Sequence, residues 1–401
     1  NRMLWTAKMR FGKTLSTLEV VRKAKFNHTI IITHRPVVDS GWYEDFTKIF
    51  HGEENYVYGS KNSGYTVEQL MNSGKKFVYF ASMQDLRGSD AVGGKFDKNN
   101  AVSSLDWDFV IVDEAHEGTT TALGDEVIKA IIKEGTNKEA KFLALSGTPF
   151  NILRDYENNS IYTWDYVMEQ SSKKEWETLH FGDSNPYDEL PELKIFTYDL
   201  GKLIENGKYA ELEDKAFNFR EFFRVWTGDI RIDKRDIPNG QNVGEFCHEA
   251  DIISFLDLIT KEDKKSNYPY ATLEYRDLFK HSLWMVPGVR EAKALSKMMK
   301  EHPVFGCGQF NIVNVAGDGD KDEESKDALK KVRDAIETAG EGYTITLSCG
   351  KLTTGVTVPE WTAVFMLSGS FSTSAANYLQ TIFRVQSPCN KDGKMKQCCY
   401  V

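Results

Sequence analysis

The sequence predicts an α/β protein built on two parallel sheets, and three observations predict it. Short apolar runs rich in β-branched residues recur along the chain, each ending in a cluster of polar residues, with amphipathic stretches between them. The first run leads directly into Gly12-Lys13-Thr14. The alternation resumes after residue 276 without a second Gly-Lys-Thr, as a duplicated domain lacking its own phosphate loop would show.

At 401 residues the chain exceeds what one core usually holds, and two or three domains are expected. A hydrophobic content of 41% with 12% aromatics fits a folded globular protein. The net charge of -9 excludes a uniformly basic surface, so a nucleic acid must be gripped in a local groove of Lys, Arg and backbone N–H groups. The six cysteines (Cys247, Cys307, Cys349, Cys389, Cys398, Cys399) show neither C-x-x-C pairing nor His at zinc-ligand spacing. They read as free thiols of a reducing cytoplasm. No signal peptide and no membrane-length apolar run is visible, so no membrane partner is expected. Both ends fall in strand-like runs, and a longer polypeptide is expected around them.

Met3-Leu4-Trp5 reads as a strand, and Leu15, Leu18, Val20 and Val21 as the apolar positions of a helix. The stretch Ala7-Lys8-Met9-Arg10-Phe11-Gly12-Lys13-Thr14 is then the tight loop between them. Such a loop aims backbone N–H groups and the positive end of the helix dipole at an anion. Its spacing is that of G-x-x-x-x-G-K-[ST], with Ala7 where the first Gly belongs. Ala is tolerated wherever positive φ is not required. The pattern serves a nucleoside triphosphate, Lys13 reaching the outer phosphates and Thr14 offering its hydroxyl to Mg²⁺. Arg10 either joins in holding the phosphates or braces the loop.

Thr29–Thr33 is a buried strand with His34, Arg35 and Pro36 at its carboxyl end, where open α/β sheets place ligand-binding residues. Lys76–Phe80 runs into a polar cluster containing Gln84 and Arg87. Phe109–Val112 delivers Asp113-Glu114-Ala115-His116, and adjacent buried carboxylates are costly unless a cation or hydrogen bonds compensate, Mg²⁺ being the natural compensator. In this reading Asp113 holds Mg²⁺ through its water shell, and Glu114 orients and deprotonates the attacking water. Lys141–Leu145 ends in Ser146-Gly147-Thr148-Pro149.

From residue 156 to residue 275 the rhythm stops, and charged and aromatic residues dominate. Ala216–Trp226 reads as a helix whose aromatic stripe faces a core. Glu139-x-Lys141 and Glu192-x-Lys194 have the spacing of nuclease half-sites, but such triplets are common, and no nuclease is read here. Beyond 276, strands are expected at 281–286, 310–315, 343–347 and 363–367. A helix follows the first, and another carries Gln380 and Arg384.

Residues 7–14, 113–116 and 146–149 resemble motifs I, II and III of superfamily 2 helicases of the DEAH-containing kind. Residues 353–359 and 380–384 resemble motifs V and VI. The A-x-x-R-x-G-K-T loop, with Thr33-His34-Arg35-Pro36, is most similar to the motor subunits of type I and type III restriction enzymes and related phage-defence proteins. This resemblance implies two tandem RecA-like P-loop NTPase domains, residues 1–155 and 276–401, the second truncated, around a mostly helical insertion at 156–275. It implies an ATP-hydrolysing, Mg²⁺-dependent translocase or helicase acting on double-stranded DNA, with a methyltransferase or specificity subunit, or a fused nuclease, elsewhere. Nucleotide contacts would come from Ala7, Arg10, Gly12, Lys13, Thr14, His116, Thr148 and Gly355. Arg384 would be an arginine finger, with Gln380 completing the site. Thr33, His34, Arg35, Gln84, Arg87 and Thr354 would grip DNA phosphates. The second arginine of motif VI falls at Ser387 and the motif V aspartate at Thr357, which leaves Arg384 to act without them. A DEAH-type RNA helicase and a nucleotide-gated DNA-binding regulatory module without motor activity are the competing readings.

Overall fold

The isoleucines of His28–Thr33 show why the first sheet forms. Ile31 packs with Leu18, Val21, Trp42 and Phe46 on one side. Ile30 and Ile32 pack with Phe77, Val110 and Val127 on the other. A strand covered on both faces needs an unbroken apolar run, and each fully buried side chain contributes about 1.5–3 kcal/mol.

The computed structural model describes residues 2–34, 36–86, 100–118, 122–136, 138–198, 210–211, 216–229, 231–233, 242–263, 266–317, 325–350, 352, 356–368, 375–391 and 393–401. These fall into two units, Asn1–Phe181 and Gly182–Val401.

In the first unit the strands are β1 (Arg2–Ala7), β2 (His28–Thr33), β3 (Tyr56–Ser60), β4 (Lys76–Ser82), β5 (Phe109–Asp113), β6 (Lys141–Ser146) and β7 (Ile161–Trp164). They form one sheet in the order β3-β4-β2-β5-β6-β1-β7. Its strands pair in parallel, so the carboxyl ends of β1, β5 and β6 lie along one edge. Thr6 stands opposite Ser146, and Thr33 opposite Asp113. Helix α1 (Lys13–Ala24) follows β1 and buries Thr17, Leu18 and Val21. Helix α2 (Asp39–Ile49) buries Asp39, Trp42 and Phe46.

The second unit carries a six-stranded parallel sheet. Its order is Phe310–Asn314, Tyr343–Ser348, His281–Met285, Ala363–Met366, Cys398–Tyr400 and Glu192–Lys194. Again the strands bury both faces. Trp284, Ile345 and Leu347 enter one core cluster, while Leu283, Met285 and Val364 enter the other with Val332 and Ile336 of the helix Ser325–Ala339.

The segment expected as an insertion divides between the units. Ile161–Trp164 is the edge strand beside β1, and Glu192–Lys194 is the edge strand beside Cys398–Tyr400. Ala216–Trp226 is not one helix. A two-residue strand, Ala216–Phe217, precedes a single turn, Phe219–Phe222. The expected burial of its aromatics does hold for Phe222 and Phe223, which join Phe246, Phe255 and Trp284 in one cluster. These five aromatic side chains can share one core without helical spacing, because the chain doubles back through Phe246 to complete the cluster.

The second core thus depends on residues well upstream of 276. A fragment of residues 182–401 is expected to unfold cooperatively in denaturant, whereas 276–401 should give no cooperative transition. Within the full chain, Phe222→Ala should cost the second unit about 3–5 kcal/mol.

Candidate nucleotide site

Two left-handed residues shape the loop between β1 and α1. Arg10 has φ 69° and Gly12 has φ 87°, a curled backbone of the kind that forms anion nests. Gly12 is the N-cap of α1, and no side chain caps it, so the first-turn N–H groups are left for another acceptor. Ala7, fully buried, closes β1 and needs no glycine. Lys13 Nζ donates to the carbonyls of Ala7, at 2.8 Å, and Lys8, at 3.4 Å. A methyl group placed on Gly147 would lie 3.6 Å from Ala7 O and 3.7 Å from Lys13 Nζ. The turn after β6 therefore backs the lysine directly.

Asp113 ends β5 beside this loop. Its Oδ2 accepts from Trp42 Nε1 at 3.2 Å, and its Oδ1 from the Glu114 N–H at 3.0 Å. Burial, then repulsion from Glu114, push the Asp113 carboxyl up to about 6, against the opposing pull of Lys13 and the two hydrogen bonds. Glu114 has φ 47°, and its Oε2 is buried, 3.5 Å from His116 Nδ1. His116 connects the two turns. Its Nδ1 lies 2.9 Å from Ser146 Oγ and its Nε2 3.2 Å from Thr148 Oγ1. Asn151 Nδ2 donates to the His116 carbonyl at 3.0 Å. The Ser146 hydroxyl also accepts from the Thr148 N–H at 3.1 Å.

Trp42 is a site residue that sequence reasoning missed. Its placement follows from Asp39 at the start of α2, whose carboxylate accepts from Tyr58 Oη at 2.7 Å, Ser60 Oγ at 2.8 Å and Asn62 Nδ2 at 2.8 Å. With the helix start fixed, the indole one turn later reaches Asp113. The only signal available was an apolar spacing of Trp42, Phe46 and Phe50, which announces a core helix and says nothing of a polar contact.

The remaining predicted residues are placed as follows. Thr14 is half-buried in the first turn of α1. Thr33 is buried at the end of β2, His34 follows it half-buried, and Gln84 is exposed in the short helix Met83–Leu86. Arg35, Arg87, Thr354 and Gly355 lie outside the described residues. In the second unit Gln380 and Arg384 are buried, and Arg384 Nη1 donates to Val356 O at 2.6 Å. Ser387, where a second arginine falls in motif VI, is fully buried, and its hydroxyl donates to Arg384 O at 3.0 Å.

The donors fit Mg²⁺ with a nucleotide: one carboxylate and one hydroxyl are both hard oxygen ligands, and such an ion takes the rest of its shell from phosphate and water oxygens. Among the described residues no group of three or more His, Cys, Asp or Glu could hold a metal by itself. No helix among them is long and apolar enough to cross a membrane.

Two parallel sheets, with a Gly-Lys-Thr loop, a DEAH turn and a Ser-Gly-Thr-Pro turn along one edge of the first, make a candidate nucleotide site on a tandem α/β fold. Residues 9–151 match the family described as "Type III restriction enzyme, res subunit". The chain is 28% identical over 455 aligned positions to a Mycoplasma pneumoniae (strain ATCC 29342 / M129 / Subtype 1) protein. That protein is provisionally described as a type II restriction enzyme and methyltransferase, RM.MpnORF110P C-terminus; the alignment covers 100% of this chain and 60% of that protein. The structure of the ATP-dependent type ISP restriction-modification enzyme LlaBIII bound to DNA is similar in fold, with a TM-score of 0.58 and 14% identity, over 100% of this chain and 26% of that one. S. cerevisiae Dbp5 bound to RNA and ADP BeF3 matches with a TM-score of 0.44 and 12% identity, over 100% and 78% of the two chains.

The raised pKa of Asp113 has a defined sign. The folded carboxyl binds its proton more tightly than the unfolded one, ordinarily 3.8, so stability present at low pH is lost as pH rises from about 4 to about 6. Asp113→Asn removes that loss. Without nucleotide, it should melt above the parent at pH 7 and converge with it near pH 4, followed by thermal melts across that range.

Proposed function

We propose that this chain is the ATP-driven motor portion of a restriction enzyme, hydrolysing ATP to move along double-stranded DNA. One observation carries the reading. Among the described residues the Lys13 ammonium donates to neutral carbonyls only, beside the Gly147 turn, and a buried carboxylate feels its charge. A cation held this way can exchange carbonyl partners for phosphate oxygens without breaking an ion pair. Lys13 and the N–H groups of the loop bind the triphosphate. Thr14 and Asp113 would hold Mg²⁺, which neutralises charge on the phosphate oxygens when bound.

Glu114 takes the proton of the attacking water, and His116 fixes its neighbourhood by tying the DEAH turn to Ser146 and Thr148. That link is also a route by which the state of the nucleotide reaches the turn after β6. Arg384 donates its guanidinium to charge on the transferring phosphoryl group, and Gln380 accompanies it. Thr33, His34, Arg35, Gln84, Arg87 and Thr354 hold DNA phosphates without reading bases, as movement over any sequence requires. The relatives' descriptions support the setting, since they name restriction-modification enzymes, one a methyltransferase and one bound to DNA.

Phosphate release measured with and without duplex DNA tests the proposal. Duplex DNA should stimulate turnover, and added salt should weaken the stimulation. A rate unmoved by DNA would favour a nucleotide-gated binding module. Lys13→Ala should lose nucleotide binding. Glu114→Gln should bind ATP and DNA yet slow turnover by about 10²-fold or more, and near-native turnover would remove Glu114 from the role of base.

A further inference from the structure

The phosphate loop holds a second lysine, and its ammonium is buried against a carboxylate from outside every recognised motif. Lys8 Nζ lies 2.6 Å from each oxygen of Glu169, and the two side chains are 3% and 2% exposed. Glu169 stands in the first turn of the helix Tyr166–Leu179. The pair has company. Lys8 N–H donates to Trp164 O at 2.9 Å, and Thr6 Oγ1 donates to Thr163 Oγ1 at 3.0 Å. The Phe11 ring packs against Tyr162 and Trp164, with centroids 6.0 and 5.8 Å apart. The Lys8 ammonium lies 5.7 Å from the Tyr166 ring centroid. Edge strand β7 and the helix after it thus touch the loop and its approach at Thr6, Lys8 and Phe11.

Stability alone is a poor reason for such a pair. A buried ion pair is often no better than well-packed apolar residues of the same volume, although removing one partner is costly. What the pair provides is a fixed position. Arg10 is left-handed, a conformation strained for a residue with a Cβ that persists only where the surroundings over-determine the backbone. Lys8 and Phe11, anchored by the β7 segment, bracket that strained residue. The carbonyl of Lys8 also accepts from Phe11 N–H at 3.3 Å and from Lys13 Nζ at 3.4 Å, so the position of Lys8 sets where the Lys13 ammonium rests.

We infer that Glu169 is a positioning residue of the nucleotide site, holding the phosphate loop through Lys8 in the form that receives a triphosphate. The inference rests on the loop being a nucleotide site.

The test is equilibrium binding of a fluorescent ATP analogue with Mg²⁺ to the full chain, with thermal melting of the same samples and steady-state ATPase kinetics. Glu169→Gln should weaken binding and raise KM for ATP at least tenfold, while kcat at saturating ATP moves less than threefold, because Asp113 and Glu114 are untouched. The double variant Lys8→Met/Glu169→Leu leaves no charge buried alone. It should regain the parental melting temperature while binding stays at least tenfold weaker, and it remains usable where Glu169→Gln fails to fold. Binding within twofold of the parent in Glu169→Gln, with only the melting temperature lowered, would reduce the pair to a structural tie and overturn the inference. Tighter binding would overturn it too, since Lys8 would then be a phosphate ligand released by the change. So would a double variant that regains both stability and affinity. Normal analogue binding by Lys13→Ala would instead sink the nucleotide reading itself, which keeps the two failures apart.

Discussion

A carboxylate withdrawn from water at the end of β5 is the constraint on which the rest of this structure turns. Asp113 faces repulsion from Glu114 beside it and receives only partial relief from Lys13, the Trp42 indole and one backbone N–H. A fold optimised for stability alone would not keep two adjacent acids there. The first sheet tolerates them because its strands are buried on both faces, so the apolar contribution of β2, β4, β5 and β6 offsets a polar edge. The same rigidity makes the edge useful. Parallel pairing of β1, β6 and β5 fixes the separation between loop, Ser-Gly-Thr turn and DEAH turn, which short loops by themselves would not do.

Those three turns are also wired to one another. His116 lies within hydrogen-bonding distance of both hydroxyls of the Ser146–Thr148 turn, and Gly147 of the same turn backs Lys13. A change in what Lys13 holds therefore meets the turn that His116 reads. The three turns are thus joined through neighbouring polar contacts along one rigid sheet edge.

How much of this could be read in the sequence depended on the range of the interaction. The buried strands of the first sheet from β1 to β6, apart from β3, were legible, because burial on both faces leaves an uninterrupted apolar run. β3 was not, since Tyr56-Val57-Tyr58-Gly59-Ser60 mixes polar atoms into a short strand. The edge strands Ile161–Trp164 and Glu192–Lys194 were missed for a related reason: an edge is half-solvated, and three or four residues are too few to show a period. Lys13, Asp113 and Glu114 stand out in the sequence because a Gly-Lys-Thr loop and a doubled acid have few structural explanations, and the fold brings their turns to one sheet edge. Trp42 and Glu169 were illegible because each looks like an ordinary helix residue, and only folding brings the partners together, across 71 and 161 positions of sequence.

The middle of the chain shows why loss of periodicity is weak evidence for a separate insertion. Residues 161–179 complete the first unit and grip the loop between β1 and α1, whereas Phe222, Phe223, Phe246 and Phe255 complete the core of the second. Neither stretch carries a motif, because neither presents a reacting group. Each constrains groups that others present. The contrast with Ser387 makes the same point from the opposite direction. The position at which the resemblance to motif VI expects a second arginine is here a buried hydroxyl donating to the Arg384 carbonyl, a contact that supports the chain. Support residues answer to packing, which accepts many sequences, and so their roles emerge only when distances between side chains are known.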